Sequence, residues 1–129
     1  MQLGPLDKKE LLCRAVRPWS SFYNKKNGRL TDLAFIDSNG LSVDRQGGRS
    51  TDDCVYSFKQ RNMEGAVYAV AYHECQLVGA AVLEMPSKDN IYHCEIHGGI
   101  NDVVLSKEQA FKLAFNARCL CRDIKTFEK

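Results

Sequence analysis

Apolar and polar positions along this chain change period several times, and the changes mark out strands and helices in alternation. Residues 66–72 are continuously apolar or aromatic, the pattern of a strand covered on both faces. Residues 79–85 repeat that character until Pro86 ends it, so both segments are expected as central strands. Residues 91–96 resume an extended pattern that His97-Gly98-Gly99 interrupts, which adds a further strand. Residues 33–37 and 41–45 flank Ser38-Asn39-Gly40, and Asn-Gly between two such runs predicts a β-hairpin.

Two segments carry helical signatures. Ser50 and Thr51 supply hydroxyl caps, and Asp52 and Asp53 suit the positive end of a helix dipole. That helix is expected to run to about Asn62, turning Cys54, Val55 and Phe58 inward, with Gly65 as its stop. The second starts at Ser106, whose hydroxyl caps while Gln109 reaches back and Leu105 meets Ala110. Ala110, Leu113, Ala114, Ala117 and Leu120 form its stripe, Phe111 and Phe115 widen it, and it is expected to reach about Cys121. Residues 71–78 stay open between a turn and a short helix closed by Gly79. Beyond residue 121 the pattern fades, and 122–129 are expected as a frayed tail.

Together these elements predict an α+β fold: a single layered domain over residues 1–129, with a mainly antiparallel or mixed sheet packed by helices at about 51–62 and 106–121. A chain of 129 residues buries roughly two thirds of its unfolded surface, enough for a core without staples. With 44% hydrophobic and 26% charged residues, the composition excludes a disordered chain. No apolar run approaches the roughly 20 residues a bilayer demands, and residues 1–10 lack an apolar signal. The expectation is a soluble, cytoplasmic protein without a membrane partner. Its six cysteines are then reduced thiols, with Cys54 and Cys94 serving as small interior hydrophobes. Cys119 and Cys121 stand one residue apart, which is not the spacing of a structural zinc pair.

Charge adds a location. The net charge of +2 says little, yet residues 11–31 hold no acid and carry Arg14, Arg17, Lys25, Lys26 and Arg29, leaving the rest of the chain at −3. Pro18 and Asn24-Lys25-Lys26-Asn27-Gly28 break any long periodicity there. The segment is expected to begin as a short element and then run over the surface, anchored by Trp19, Phe22 and Tyr23. Cations neutralise phosphates or carboxylates and exposed rings stack on bases, so the segment suits an anionic partner. A pI of 8.2 makes nucleic acid the less favoured partner.

Two other places invite chemistry. In an extended segment the period of two puts His93, Glu95 and His97 on one face, a two-histidine, one-carboxylate set suited to zinc, iron or manganese. Same-face neighbours on one strand stand about 7 Å apart, so the plainer reading is the polar face of an edge strand with Cys94 and Ile96 packed inward. His93-x-Glu95 with late cysteines resembles the zinc deaminases in outline only, because their Pro-Cys-x-x-Cys is missing. Finally, Arg45-Gln46-Gly47-Gly48-Arg49-Ser50-Thr51 leads into a helix start that suits an anion, but it lacks the Gly-Lys-Ser/Thr of a P-loop and reads better as a capped turn.

The leading expectation is therefore a small non-catalytic binding or interaction protein needing no cofactor. It contacts a protein or other anionic macromolecule through Arg14, Arg17, Trp19, Tyr23, Lys25, Lys26 and Arg29. The alternative is a small metal-dependent hydrolase in which His93, Glu95 and His97 hold zinc, iron or manganese and the ion activates water.

Overall fold

The computed structural model describes residues 3–129 and is α+β, as the patterning predicts. Six strands, β1 (Leu11–Val16), β2 (Leu41–Arg45), β3 (Ala66–Ala71), β4 (Ala81–Glu84), β5 (His93–His97) and β6 (Arg118–Cys121), form one open sheet. The order is β4-β5-β2-β1-β3-β6, and every pairing is antiparallel. Three α-helices, α1 (Thr51–Gln60), α2 (Tyr72–Leu77) and α3 (Lys107–Asn116), complete it, with short 3₁₀ turns at Ser20–Phe22, Asp32–Phe35 and Ile124–Thr126.

The strand period of two divides the apolar residues between two cores. Leu12, Val16, Leu41, Val43, Val70, Cys94 and Ile96 turn to one face, where they meet Phe35 and the Ala110, Leu113 and Ala114 stripe of α3. Cys13, Val67 and Ala69 turn to the other face, against Cys54, Val55 and Phe58 of α1 and against Ile124. This two-sided demand explains why β3 is nearly all apolar.

Local chemistry sets the helix ends. The Ser50 hydroxyl accepts the Asp53 N–H at 3.1 Å, and Ser106 and Gln109 satisfy each other's backbone N–H groups at 3.1 and 2.9 Å. At the far end of α1 the stop is Asn62 (φ 58), not Gly65: the N–H groups of Met63 and Asn62 return to the carbonyls of Phe58 and Lys59. Gly65 (φ 98) instead lets the backbone pass directly over the Val16 carbonyl, where a Cβ would collide.

Several sequence expectations are overturned by long-range pairing. The second helix stops at Asn116, and after Ala117 the chain becomes β6, because residues 118–121 find backbone partners along β3. Phe111 and Phe115 lie off the buried stripe and are 60% and 63% exposed. The predicted hairpin does not form. Its turn is present, with the Asp37 carboxylate accepting the Asn39 N–H and the Asp37 carbonyl accepting the Gly40 N–H, but residues 32–35 fold as a 3₁₀ turn and β2 pairs with β1 and β5. β4 is an edge strand with β5 as its neighbour, whereas β5 is interior. Residues 72–77 take the helical option. The tail is docked: Ile124 is fully buried, its N–H donates to the Gly65 carbonyl at 2.8 Å, and Lys59 Nζ donates to the Phe127 carbonyl at 2.6 Å.

Candidate functional site

The basic segment leaves β1 at Val16 and folds over the α3 side of the sheet. Tyr23 and Leu30 form an antiparallel bridge that closes a compact loop between them. Inside it, Asn24 Oδ1 accepts the Lys26 N–H and Asn27 Oδ1 accepts the Arg29 N–H, each at 2.9 Å, while the Asn24 N–H donates to the Arg29 carbonyl at 2.7 Å. Buried Leu30 pins the base of the loop, so Lys25 and Lys26 are held exposed at its tip.

Phe22 and Tyr23 pack against the core, as anchors should. Trp19 does not: it is 54% exposed, stacked on Phe22 at 5.3 Å with the Arg17 guanidinium 5.4 Å from its ring centre. Arg14 also departs from expectation. It points from β1 under the Asp32–Phe35 turn, donating from Nε to the Ala34 carbonyl at 2.9 Å and from Nη1 to the Ser42 carbonyl at 3.1 Å. Burial lowers its pKa, with nearby Arg17 acting in the same direction and Asp37 opposing. Arg14 therefore braces the fold, and the accessible cations of the segment are Arg17, Lys25, Lys26 and Arg29.

Two hollows flank the loop. One, of about 420 Å³, is lined by Pro18, Tyr23, Asn27, Tyr68, Cys119 and Arg122. Tyr68 of β3 stands directly across from Cys119 of β6, and burial followed by proximity to Cys119 and Tyr23 pushes the Tyr68 phenol up to about 12. Burial, then Cys119, raises Tyr23 as well. Both phenols thus keep their O–H protons at neutral pH. The second hollow, of about 410 Å³, runs between the loop and α3 along Asn24, Asn27, Arg29, Asp32, Phe111 and Phe115. Here the Arg29 guanidinium sits 5.3 Å from the Phe115 ring centre.

Tyr68, Phe111, Phe115, Cys119 and Arg122 were missed from sequence. The helix residues did carry a signal: at about 100° per residue Phe115 falls roughly 140° from Ala110, too far round to share its buried stripe. Nothing local marks the others, because β3–β6 pairing brings them together.

His93, Glu95 and His97 do share one face of β5. His97 Nε2 lies within hydrogen-bond distance of Glu95 Oε1 at 2.8 Å, whereas His93 Nε2 stands 4.0 Å from Glu95 Oε2, too far for a hydrogen bond. Gly40 packs against this cluster, with room for no Cβ beside Glu95 Oε1 and 3.1 Å available to His97 Nε2. Among the described residues, no group of three or more His, Cys, Asp or Glu side chains is placed to hold a metal ion. The strand is interior, not the edge strand of the plainer reading.

The Arg45–Thr51 turn spends its cations on structure. Arg49 donates to the carbonyls of Gln46 and Arg45 at 3.0 and 2.9 Å and lies 3.5 Å from the Tyr92 ring centre. Arg45, 2% exposed, forks onto Glu10 with Nε and Nη2 each at 2.8 Å and reaches Glu84 with Nη1 at 2.6 Å. Those carboxylates, Glu10 first, hold its pKa above the ordinary arginine value.

Among the described residues, no helix is long and apolar enough to cross a membrane. Comparison of the chain with protein-family models, with curated proteins and with solved structures finds no match, so the surface around loop 24–29 rests on its own geometry.

Proposed function

We propose that this chain is a small non-catalytic binding protein that contacts an anionic macromolecular partner through the loop of residues 24–29 and the aromatic surface around it. One observation carries the reading. Three large rings, Trp19, Phe111 and Phe115, stay more than half exposed, and two of them bear an arginine guanidinium. Isolated exposed apolar residues are ordinary, but rings grouped with cations on one side of a sheet form an amphipathic contact surface. Among the described residues, none of Arg17, Lys25, Lys26, Arg29 and Arg122 is ion-paired with a carboxylate, whereas Arg118 nearby is paired with Glu74. Cys75 and Cys94, buried as single apolar thiols, fit the reducing cytoplasm in which this reading places the protein.

The test is charge reversal with a matched control. Lys25→Glu, Lys26→Glu and Arg29→Glu together should lower the salt concentration that elutes the protein from a heparin column, with Tm unchanged. Reversal of the exposed Lys8, Lys9 and Lys107 alters net charge equally and should lower it far less. Equal losses from the two triple variants would remove the loop from the binding surface.

A further inference from the structure

The two hollows beside the loop differ in chemistry in a way that identifies the partner, granted the binding role proposed above. The hollow between the loop and the β3–β6 edge offers hydrogen-bond donors: the Tyr23 and Tyr68 hydroxyls, the Asn27 amide and the Arg122 guanidinium. Among the described residues, none of those lining it bears a carboxylate. The hollow against α3 presents the Phe111 and Phe115 rings, with Asp32 and Asn24 on its wall as acceptors and the Arg29 guanidinium over one face of Phe115. A phosphate suits the first, which holds Arg122 and no carboxylate, better than the second, where Asp32 offsets the Arg29 guanidinium. A flat heterocycle with exocyclic amines suits the second, through ring stacking and acceptors at its edge. Asn27 lines both, so the two subsites are contiguous.

We infer that the partner is a single-stranded polynucleotide: one phosphate sits among Tyr23, Tyr68 and Arg122, and a neighbouring base stacks on Phe115 in the groove against α3. The exposed Trp19 ring, stacked on Phe22, supplies a further platform on the same side. Bases paired in a duplex cannot leave their stack to reach these rings, so the site selects unpaired strands. The phenols keep their protons at neutral pH, so Tyr23, and Tyr68 on turning its O–H from the Cys119 sulfur, meet a phosphate oxygen as donors and not as competing anions. Each hollow, at about 420 and 410 Å³, falls within the roughly 300–1,000 Å³ of small-molecule sites, ample for one nucleotide fragment.

Fluorescence anisotropy of the full chain with a labelled eight-nucleotide oligothymidylate, a duplex of equal length and a multiply phosphorylated peptide tests the inference. The single strand should bind at least tenfold more tightly than either competitor. Tyr68→Phe should weaken it roughly tenfold through loss of a donor to a charged oxygen, and Phe115→Ala roughly tenfold through loss of a stacking face. Arg122→Gln should reduce the slope of log K against log salt by about 0.7, one phosphate contact. Equal binding of duplex and single strand overturns the inference, as does preference for the phosphopeptide, or single-strand affinity within twofold of wild type in both Tyr68→Phe and Phe115→Ala. If heparin retention still depends on Lys25, Lys26 and Arg29 in any of these cases, the broader binding role survives. If it does not, both readings fail.

Discussion

Replacing Arg45 by methionine should unmask the cost of a buried carboxylate. The Glu10 side chain is 9% exposed, and without the guanidinium fork it keeps, among the described residues, only backbone donors, chiefly the Gly47 N–H at 2.8 Å. Stranding one partner of a buried ion pair costs about 3–5 kcal/mol. Glu84 is 46% exposed and adds less than about 1 kcal/mol, because water replaces its lost partner. The total corresponds to a fall in Tm on the order of 10 °C for a domain of this size. Acid should narrow the gap. In the native protein burial pushes the Glu10 pKa up, but the bonds from Arg45 and Gly47 outweigh it and hold the group below its ordinary value. A lowered folded-state pKa contributes stability that is present above the unfolded pKa and lost as pH falls through the folded one. In Arg45→Met burial dominates and the sign reverses, so protonation relieves the variant while it costs the native protein. Urea unfolding followed by far-UV circular dichroism at pH 7 and near pH 4 measures both effects, and adding Glu10→Gln to the variant should restore over half the loss. A deficit below about 1 kcal/mol at pH 7, or an equal deficit at both pH values, would refute the reasoning.

Two further substitutions probe the packing. Ile124→Ala should cost about 2–5 kcal/mol, because the side chain is fully buried beside Val55 and Phe58; a urea midpoint indistinguishable from wild type would show that the C-terminal turn contributes nothing to the core. Gly65→Ala should destabilise by more than about 2 kcal/mol, since its Cβ meets the Val16 carbonyl oxygen, whereas Gly28→Ala, also at positive φ but with open space around it, should cost about 1 kcal/mol. Equal losses in thermal melts of the two variants would mean that backbone conformation alone, without the close approach, sets the cost.

Features whose causes lie within a few residues were legible in the sequence. Ser50 and Ser106 announce α1 and α3 through caps three residues long, and the doubly apolar run of β3 identifies a strand covered on both sides. What failed depends on partners far along the chain. Residues 118–121 continue a helical pattern, yet unpaired backbone on β3 outbids one more helical turn. Residues 81–84 look as apolar as a central strand, and position in the sheet, invisible locally, puts them at its edge. The candidate surface divides in the same way. Asn24, Asn27 and Gly28 mark the loop that holds out Lys25 and Lys26, so that half was readable, while Tyr68, Cys119 and Arg122 become neighbours only after β6 docks. Arg14 and Trp19 misled because a charge in a basic run can be buried against carbonyls and a tryptophan can stand clear of the core.

The strand order also governs how the molecule comes into being. Among the described residues, β4 with β5 is the one ladder of five whose strands are joined by a short link; β1 with β2 and with β3, β2 with β5, and β3 with β6 all close large loops. Loop closure of that kind slows folding, toward milliseconds or longer. A chain emerging from the ribosome exposes the β3 edge until residues 118–121 are released, and the second core stays unplugged until Ile124 follows. During synthesis that edge is open to pairing with a neighbouring nascent copy.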